Sequence, residues 1–513
     1  MSNRTSGLVA HISSLPGPYG IGSIGAPARR FVDFLVKCGQ TCWQMLPLNP
    51  TGYANSPYQS CSTFAGNPYF IDLDELCAGG LVLREELMGY HFGSDPDLVD
   101  YGLLYQNRPA VLRLAFARGR ERCASEIEAF SQQHKTWLRD YALYMAVKES
   151  FGMKALKDWP DKALVAREKK AVEKALSEHR EAVAFHEFTQ FLFWTQWESL
   201  RAYAKARGIL MVGDLPIYVS EDSVEVWTHP ELFDLKEPAQ AASVAGVPPD
   251  LYSETGQLWG NPLYNWEYHA KTGYRWWLSR LLHTQTCFDI IRIDHFRGFY
   301  NYWAVAAGAK TAMKGSWKKG PGMDFINKMK RALPPGSIIA EDLGDLDEKA
   351  LAFIKETGLP GMRVLVYAFD PVNDSGFLPH NIPADSVAYT SSHDSPPFIG
   401  WLYSEASPEE RLLAFRYLRL NDGEGYGWCA AKAVWGSPAK LSMAMLQDIL
   451  GLGADSRINM PATTRDRNWC WRVRGEALND DVAAKLLEIT KTYKRQKPDY
   501  DPEKILNAND TQR

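Results

Sequence analysis

Four short apolar segments of this chain are each followed closely by an acidic residue, and these residues are Asp214, Asp294, Glu341 and Asp394. Two of them have a histidine neighbour, His295 after Asp294 and His393 before Asp394. A single acidic residue in such a place often caps a helix. Four together are harder to explain as caps. Converging negative charges destabilise a protein, and proteins keep such clusters mainly where the resulting pKa shifts serve a reaction.

Retaining cleavage of a glycosidic bond uses two carboxyl groups about 5 Å apart. One attacks the anomeric carbon as an anion, while the other protonates the leaving oxygen and then acts as a base. Arg292 lies two residues before Asp294, so both side chains point the same way in a strand and the guanidinium can hold Asp294 anionic. We therefore predict Asp294 as nucleophile, Glu341 as acid/base, and Asp394 as a hydrogen-bond partner of the sugar hydroxyls.

A metal site is the competing chemistry. The segment after the fifth apolar run contains the carboxylates Glu341, Asp342, Asp345 and Asp347, and barrel enzymes can use magnesium held by such groups. Arg292 disfavours this interpretation, because a cation already balances the charge of Asp294. The sequence therefore predicts no metal and no other cofactor.

The elements that must position these residues are predicted to be parallel strands. Apolar runs bounded by turn residues have the length of buried strands, and amphipathic helices follow several of them, which favours an α/β fold, a (β/α)8 TIM barrel. A weaker eighth strand is predicted near Arg457–Met460. The seven clear runs are Leu8–Ile12, Trp43–Leu48, Ile209–Val212, Ile290–Ile293, Ile338–Ala340, Arg363–Val366 and Val387–Tyr389.

The spacing of the runs predicts one catalytic barrel over residues 1–513 with two insertions. Residues 75–207, between strands two and three, are predicted to be mainly helical. Residues 238–266 are rich in proline, glycine and aromatic residues and are predicted to form an active-site loop.

Composition excludes several classes of protein. With 45% hydrophobic and 23% charged residues, the chain of 513 residues is typical of globular enzymes. Its net charge of −4 gives no basic surplus for binding nucleic acid. The absence of an 18-residue apolar stretch or a signal-peptide pattern argues against a membrane span or export. The eight scattered cysteines favour a reducing cytoplasm. We expect a cytoplasmic monomer or weak homo-oligomer.

Several motifs, in order, resemble the amylomaltase or disproportionating-enzyme family of 4-α-glucanotransferases, within the α-amylase superfamily. The resemblance extends from about Ser6 to Arg472. It rests on the segments SGLVAHISSLPGPYGIG, NSPYQSCSTFAGNPYFIDL, GDLPIYVSEDSVEVW, AGVPPDLYSETGQLWGNPLYNW, RIDHFRGFYNYW and AEDLG. Two segments depart from the family pattern, Ser395–Pro397 and Asn459–Thr463, and both bear on acceptor preference.

The resemblance implies transfer of a segment of an α-1,4-glucan to the 4-hydroxyl of an acceptor, which is glucose or another glucan. Maltooligosaccharides, starch and glycogen are the implied substrates. It implies the same roles for Asp294, Glu341 and Asp394 as the chemistry does. The residues implied to bind the glucan are Tyr58, Asp214, Tyr252, Trp259, Arg292, His295 and His393.

Two other functions remain open at this point. A hydrolase of the same superfamily would form the same glycosyl-enzyme, and only the access of water or sugar would distinguish it. The aromatic insertion 238–266 would cover the site and favour a sugar acceptor. A noncatalytic glucan-binding protein is disfavoured by the presence of all three carboxylates.

Overall fold

Eight parallel strands close into a barrel in the computed structural model of the chain, which describes residues 4–249, 253–496 and 499–508. Each strand pairs with the next along the chain, and the last pairs with the first, with Thr5 opposite Leu441. The predicted barrel is therefore confirmed. The strands are β1 Thr5–Val9, β2 Cys42–Gln44, β3 Leu210–Pro216, β4 Ile290–Asp294, β5 Ile338–Ala340, β6 Gly361–Val364, β7 Ser386–Tyr389 and β8 Leu441–Met445.

The predicted eighth strand near Arg457–Met460 is wrong. The eighth strand is β8, whose five residues are all buried, and Arg457–Met460 is irregular. The sequence of β8, LSMAM, lacks β-branched residues and continues directly into the short helix Leu446–Ile449. Its composition therefore favours a helix, and only pairing with β7 and β1 makes it a strand.

Some predicted strands extend too far toward the carboxyl end. The apolar run Trp43–Leu48 forms a strand only to Gln44, and Leu8–Ile12 only to Val9. The residues beyond these ends, such as Ile12 and Leu46, are still buried. Loops at this end of the barrel pack over the core, so apolar character continues past the last ladder hydrogen bond.

Helices between the strands surround the barrel. Ala26–Lys37 buries Phe31, Phe34 and Leu35 on one face, as its spacing predicts. Helix Glu348–Thr357 begins at Asp347, whose carboxylate accepts a hydrogen bond from the amide of Ala350. The other helices outside the β2–β3 connection are Val224–Thr228, Trp266–Lys271, Arg275–Cys287, Gly322–Ala332, Phe398–Ser404, Pro408–Leu418, Tyr426–Gly436, Leu446–Ile449, Asp480–Thr492 and Pro502–Ala508.

The long connection between β2 and β3 is mostly helical. Its last helix, Arg180–Ala206, packs against four helices of the same connection and leads back to the barrel. The chain turns away from this helix at Gly208, whose φ of +72° lies in the left-handed region that glycine adopts easily. The preceding helices are Leu73–Ala78, Arg84–Leu87, Tyr101–Arg122, Ala124–Gln133, Leu138–Ser150, Lys162–Val165 and Lys169–Glu178.

A second sheet lies outside the barrel and is built from the connections that follow β3 and β4. Its four antiparallel strands are, in spatial order, Gly315–Lys319, Asn301–Ala306, Ser243–Val247 and Gln257–Pro262. A small hairpin joins Leu235–Glu237 to Gln240–Ala241. Within the described part of the chain, no helix is long and apolar enough to cross a membrane.

Candidate active site

The four predicted carboxylates lie at the carboxyl end of the barrel. Asp214 is inside β3, Asp294 is the last residue of β4, Glu341 directly follows β5, and Asp394 lies in the connection after β7. The strand register places Asp214 opposite Arg292, and Ile293 opposite Ala340. The carboxylates of β3, β4 and β5 therefore face one another across neighbouring strands.

Arg292 is the cation among these acids. Its Nη1 lies 2.7 Å from both carboxylate oxygens of Asp214, and its Nη2 lies 3.0 Å from Oδ1 of Asp294. The side chains of Arg292 and Asp214 are only 4% and 0% exposed, whereas that of Asp294 is 27% exposed. Arg292 therefore contacts both acids, and of these two only Asp294 is accessible to solvent.

Glu341 is fixed by two backbone amides. The amide of His295 donates to Oε2 at 2.6 Å, and the amide of Leu343 donates to Oε1 at 2.8 Å. His295 has a φ of +50°, a conformation that costs about 1–2 kcal/mol for a residue with a side chain. This turn directs its amide at the neighbouring strand, so a strained backbone helps to orient Glu341.

Asp294 and Glu341 influence each other's ionisation. Burial, followed by the negative charge of Asp294, raises the pKa of Glu341 above its usual range. Burial also raises the pKa of Asp294, and the nearby Arg292 guanidinium opposes this increase. Such a pair shares a proton over an extended pH range. Because Arg292 contacts Asp294, the negative charge is favoured on Asp294 and the proton on Glu341.

Tyr58 connects Asp214 to the histidine of the β7 connection. Its hydroxyl donates to Oδ2 of Asp214 at 2.7 Å and lies 2.9 Å from Nε2 of His393. The rings of Tyr58 and His393 stack, with centroids 5.3 Å apart. Nε2 of His393 is also 3.4 Å from Oδ2 of Asp394. Burial and Asp214 raise the pKa of Tyr58 well above its usual range, so its phenol stays protonated.

Trp259 belongs to the second sheet and lies beside His295. Its ring meets that of His295 edge to face, with centroids 4.8 Å apart. Gln59, next to Tyr58, donates to the carbonyl of Trp259 at 3.2 Å, which connects the segment of Tyr58 to the second sheet. The predicted contact residue Tyr252 lies outside the described residues. Trp259 and Tyr58 are half-buried and offer flat apolar faces of the kind that stack on sugar rings.

The acidic segment after Glu341 is engaged in other contacts. Asp342 forms an ion pair with Arg363 at 2.8 Å and accepts a hydrogen bond from the amide of Met362 at 2.7 Å. Asp347 caps a helix. Among residues 4–249, 253–496 and 499–508, no three His, Cys, Asp or Glu side chains are grouped so that they could hold a metal ion.

Three residues at the site were not predicted as site residues. Asn459 donates from Nδ2 to Oδ1 of Asp394 at 2.7 Å, and Trp469 packs on Tyr58 with centroids 5.6 Å apart. His11 follows β1, and burial together with His393 lowers its pKa to about 3. The predicted strand Leu8–Ile12 includes His11 and so hides it, whereas the structure ends β1 at Val9 and leaves His11 just beyond the strand, like the carboxylates. Asn459 and Trp469 follow no strand and carry no such signal.

Comparison with known proteins identifies the family. The sequence profile of a family described as 4-alpha-glucanotransferase matches residues 10–479. The 4-alpha-glucanotransferase of Clostridium butyricum is 43% identical over 486 residues, covering 94% of this chain and 99% of the relative. That of Thermus thermophilus is 43% identical over 503 residues, covering 96% and 99%.

Solved structures agree with this result. Amylomaltase from Streptococcus agalactiae in complex with acarbose has a TM-score of 0.93 and 41% identity, and the match covers 96% of this chain and 100% of that structure. Amylomaltase from Corynebacterium glutamicum shares the fold, with a TM-score of 0.76 at 19% identity over 95% of this chain and 75% of that structure. The chain described here belongs to the 4-α-glucanotransferase family.

Proposed function

We propose that this enzyme transfers segments of α-1,4-glucans to the 4-hydroxyl of glucose or of another glucan through a covalent glycosyl-enzyme. The observation that carries this proposal is the contact of Arg292 with both Asp214 and Asp294, beside a buried Glu341. It pairs one anionic carboxylate with one that keeps its proton, as a retaining mechanism requires.

In the first step, Asp294 attacks the anomeric carbon of the donor. The carboxyl group of Glu341 gives its proton to the glycosidic oxygen as the bond between carbon and oxygen breaks. The leaving part of the glucan departs with a new 4-hydroxyl, and the remaining sugar is attached to Asp294. Arg292 supports this step because it keeps Asp294 ionised, while burial keeps the proton on Glu341.

In the second step, the 4-hydroxyl of an acceptor sugar attacks the same carbon. Glu341, now a carboxylate, takes the hydroxyl proton, and the bond to Asp294 breaks. Each step inverts the configuration, so the product retains that of the donor. The amides that hold Glu341 serve both steps, since they accommodate the carboxyl group in either protonation state.

The remaining polar residues hold the sugar. Asp394 binds hydroxyls of the ring as it distorts, and Asp214, Arg292 and His393 line the same subsite. The other residues proposed to contact the glucan are Tyr58, Tyr252, Trp259 and His295. Aromatic walls exclude water from the glycosyl-enzyme and so favour a sugar acceptor over hydrolysis.

Incubation with maltotriose tests the proposal. Transfer predicts glucose together with maltooligosaccharides longer than maltotriose, resolved by size. Accumulation of glucose and maltose without longer chains would instead identify a hydrolase.

The setting of this reaction is part of the proposal. The whole chain, residues 1–513, would act as one catalytic unit, with the helical insertion 75–207 and the active-site insertion 238–266 as parts of it. It would work in the cytoplasm as a monomer or weak homo-oligomer on maltooligosaccharides, without nucleic acid, membrane, metal or cofactor. Sedimentation analysis tests the oligomeric state. Assays after EDTA treatment test whether activity needs a metal.

A further inference from the structure

The segment Arg457–Trp469, here called the strap, contacts the connection that carries Asp394. The amide of Asn459 donates to the carbonyl of His393 at 3.1 Å, and its Nδ2 donates to Oδ1 of Asp394 at 2.7 Å. The guanidinium of Arg457 donates to the carbonyl of Asp394 at 2.5 Å. Both the backbone and the side chain of Asp394 are therefore held by the strap.

The strap is itself fixed at both ends. The amide of Trp469 donates to the carbonyl of Ile458 at 2.6 Å, which closes the segment on itself. Arg457 forms an ion pair with Glu405 at 2.6 Å. Inside the loop, Asn468 accepts a hydrogen bond from the amide of Met460 at 3.2 Å. Asn459 is thus held in place before a substrate arrives, so its hydrogen bond to Asp394 requires little reorganisation.

Asp394 needs such support more than the other site carboxylates do. Asp214 and Asp294 lie in strands and are held by Arg292, whereas Asp394 lies in a connection and its side chain is 40% exposed. One carboxylate oxygen is 3.4 Å from His393, and the other accepts the hydrogen bond from Asn459. Removal of Asn459 would leave the carboxylate free to rotate away from the sugar.

We propose that Asn459 is a positioning residue that holds one oxygen of Asp394 and thereby aims the other at the reacting sugar. The proposal rests on the function proposed above for Asp394. It assigns a role to a side chain that does not itself need to touch the glucan.

The isosteric substitution Asn459→Asp tests this role, because it keeps the size of the side chain and replaces the donor with a negatively charged oxygen. We expect kcat to fall by about 10- to 100-fold, the usual effect of losing a hydrogen bond to a charged group, and KM to change less than about threefold. Asn459→Ala should have a similar effect and replaces Asn459→Asp if that variant does not fold. Thermal unfolding of each variant verifies that it is folded.

Asn381→Asp is the matched control. Nδ2 of Asn381 also donates to an aspartate oxygen at 2.7 Å, that of Asp374, but in a surface loop. We expect kcat and KM of Asn381→Asp to equal those of the unchanged protein. An equal loss in both variants would contradict the proposal.

A double-variant cycle separates this proposal from the function on which it rests. The activity is measured with an α-glucosyl fluoride donor. If Asn459 acts through Asp394, the double variant Asp394→Asn with Asn459→Ala should be as active as Asp394→Asn alone. A full additional loss, or a raised KM with unchanged kcat, would show that Asn459 binds sugar directly and would overturn the positioning role. If Asp394→Asn alone keeps full activity, the role proposed for Asp394 fails, and that of Asn459 with it.

Discussion

The backbone amide of His295 donates a 2.6 Å hydrogen bond to the carboxyl group of Glu341. His295 directly follows Asp294, so this bond joins the end of β4 to the end of β5 and links the two carboxyl groups proposed to react. Its geometry depends on a left-handed backbone at His295. The relative position of the pair is therefore determined by backbone, which is more rigid than two free side chains would be.

Arg292→Lys should impair the enzyme although it keeps the positive charge. One ammonium group cannot match the planar fork that contacts Asp214 and Asp294 together, so one acid loses its partner. We expect kcat/KM to fall by about 10²-fold or more and the free energy of unfolding to fall by about 1.5–3 kcal/mol. Steady-state kinetics and denaturant unfolding measure both.

Arg474→Lys is the control for this prediction. Arg474 makes a similar two-point contact with Asp97, at 2.7 and 2.5 Å, but on the surface. Surface ion pairs contribute little, so its kinetics and stability should be nearly unchanged. An Arg292→Lys enzyme as active as this control would contradict the bridging role of Arg292.

Tyr58→Phe should reduce activity without removing the aromatic face. The variant keeps the ring that stacks on His393 but loses the hydroxyl between His393 and Asp214. Loss of a hydrogen bond to a charged group predicts a decrease in kcat/KM of about 10- to 100-fold. Tyr274→Phe, which removes a 2.9 Å bond to Asp324 away from these residues, should leave kcat/KM unchanged. If Tyr58→Phe does the same, the hydroxyl has no part in the reaction.

The sequence predicted the barrel and the proposed reacting residues for one physical reason. Seven strands are buried apolar runs, and the polar residues at their carboxyl ends interrupt that pattern visibly. The sequence does not predict the eighth strand, Leu441–Met445, because its leucine, methionine and alanine residues favour a helix. No local signal marks it, since only its two neighbouring strands determine its conformation.

The contacts between distant segments could not be predicted in this way. Tyr58 and His393 come from two separate connections and Asp214 from β3, so their hydrogen bonds depend on how loops fold over the barrel. The sequence predicts a strand at Asn459, whereas the structure places this residue in an irregular segment against Asp394. Its position follows from tertiary contacts such as those of Arg457 and Trp469, which no periodic pattern encodes.

The pH dependence of kcat/KM should have a basic limb due to Glu341. The first step needs this group protonated, and burial raises its pKa to about 7, against about 4.3 for an ordinary glutamate. As pH rises through that value the proton is lost, so kcat/KM with maltooligosaccharides should fall. An α-glucosyl fluoride needs little protonation. The rate at which this donor glycosylates the Glu341→Gln variant should therefore show no decrease in this pH range. If the variant shows the same decrease with rising pH as the unchanged protein, the decrease is due to a group other than Glu341.

Glu341→Gln should remove a pH-dependent loss of stability that the carboxyl group of Glu341 causes. Because the folded pKa of Glu341 is raised, the folded state binds more protons than the unfolded state between about pH 4.3 and the raised value. Its contribution to stability is therefore lost as pH increases through that range. The variant avoids this loss but can accept only one of the two amide hydrogen bonds. The Tm of the variant minus that of the unchanged protein should therefore be about 1–3 °C higher at pH 8 than at pH 5.

Glu86→Gln should lack this relative gain in Tm at high pH. Hydrogen bonds from Arg118 lower the pKa of Glu86 to about 2, so its carboxylate stabilises the folded state above the pKa of the unfolded chain. The Tm of Glu86→Gln should thus be equal to or below that of the unchanged protein at pH 8. An identical change of Tm in both variants at every pH would contradict the pKa shift of Glu341.

The division of roles between Asp294 and Glu341 is tested most directly by trapping the covalent intermediate. In Glu341→Gln, an α-glucosyl fluoride can still react with Asp294, but the second step lacks its base and slows by about 10²–10⁴-fold. Intact-protein mass should therefore show one added glucosyl group, and peptide mapping should place it on Asp294. Asp294→Asn should form no adduct with any donor. An adduct in Asp294→Asn, or one that maps to Glu341 or Asp394, would contradict the account.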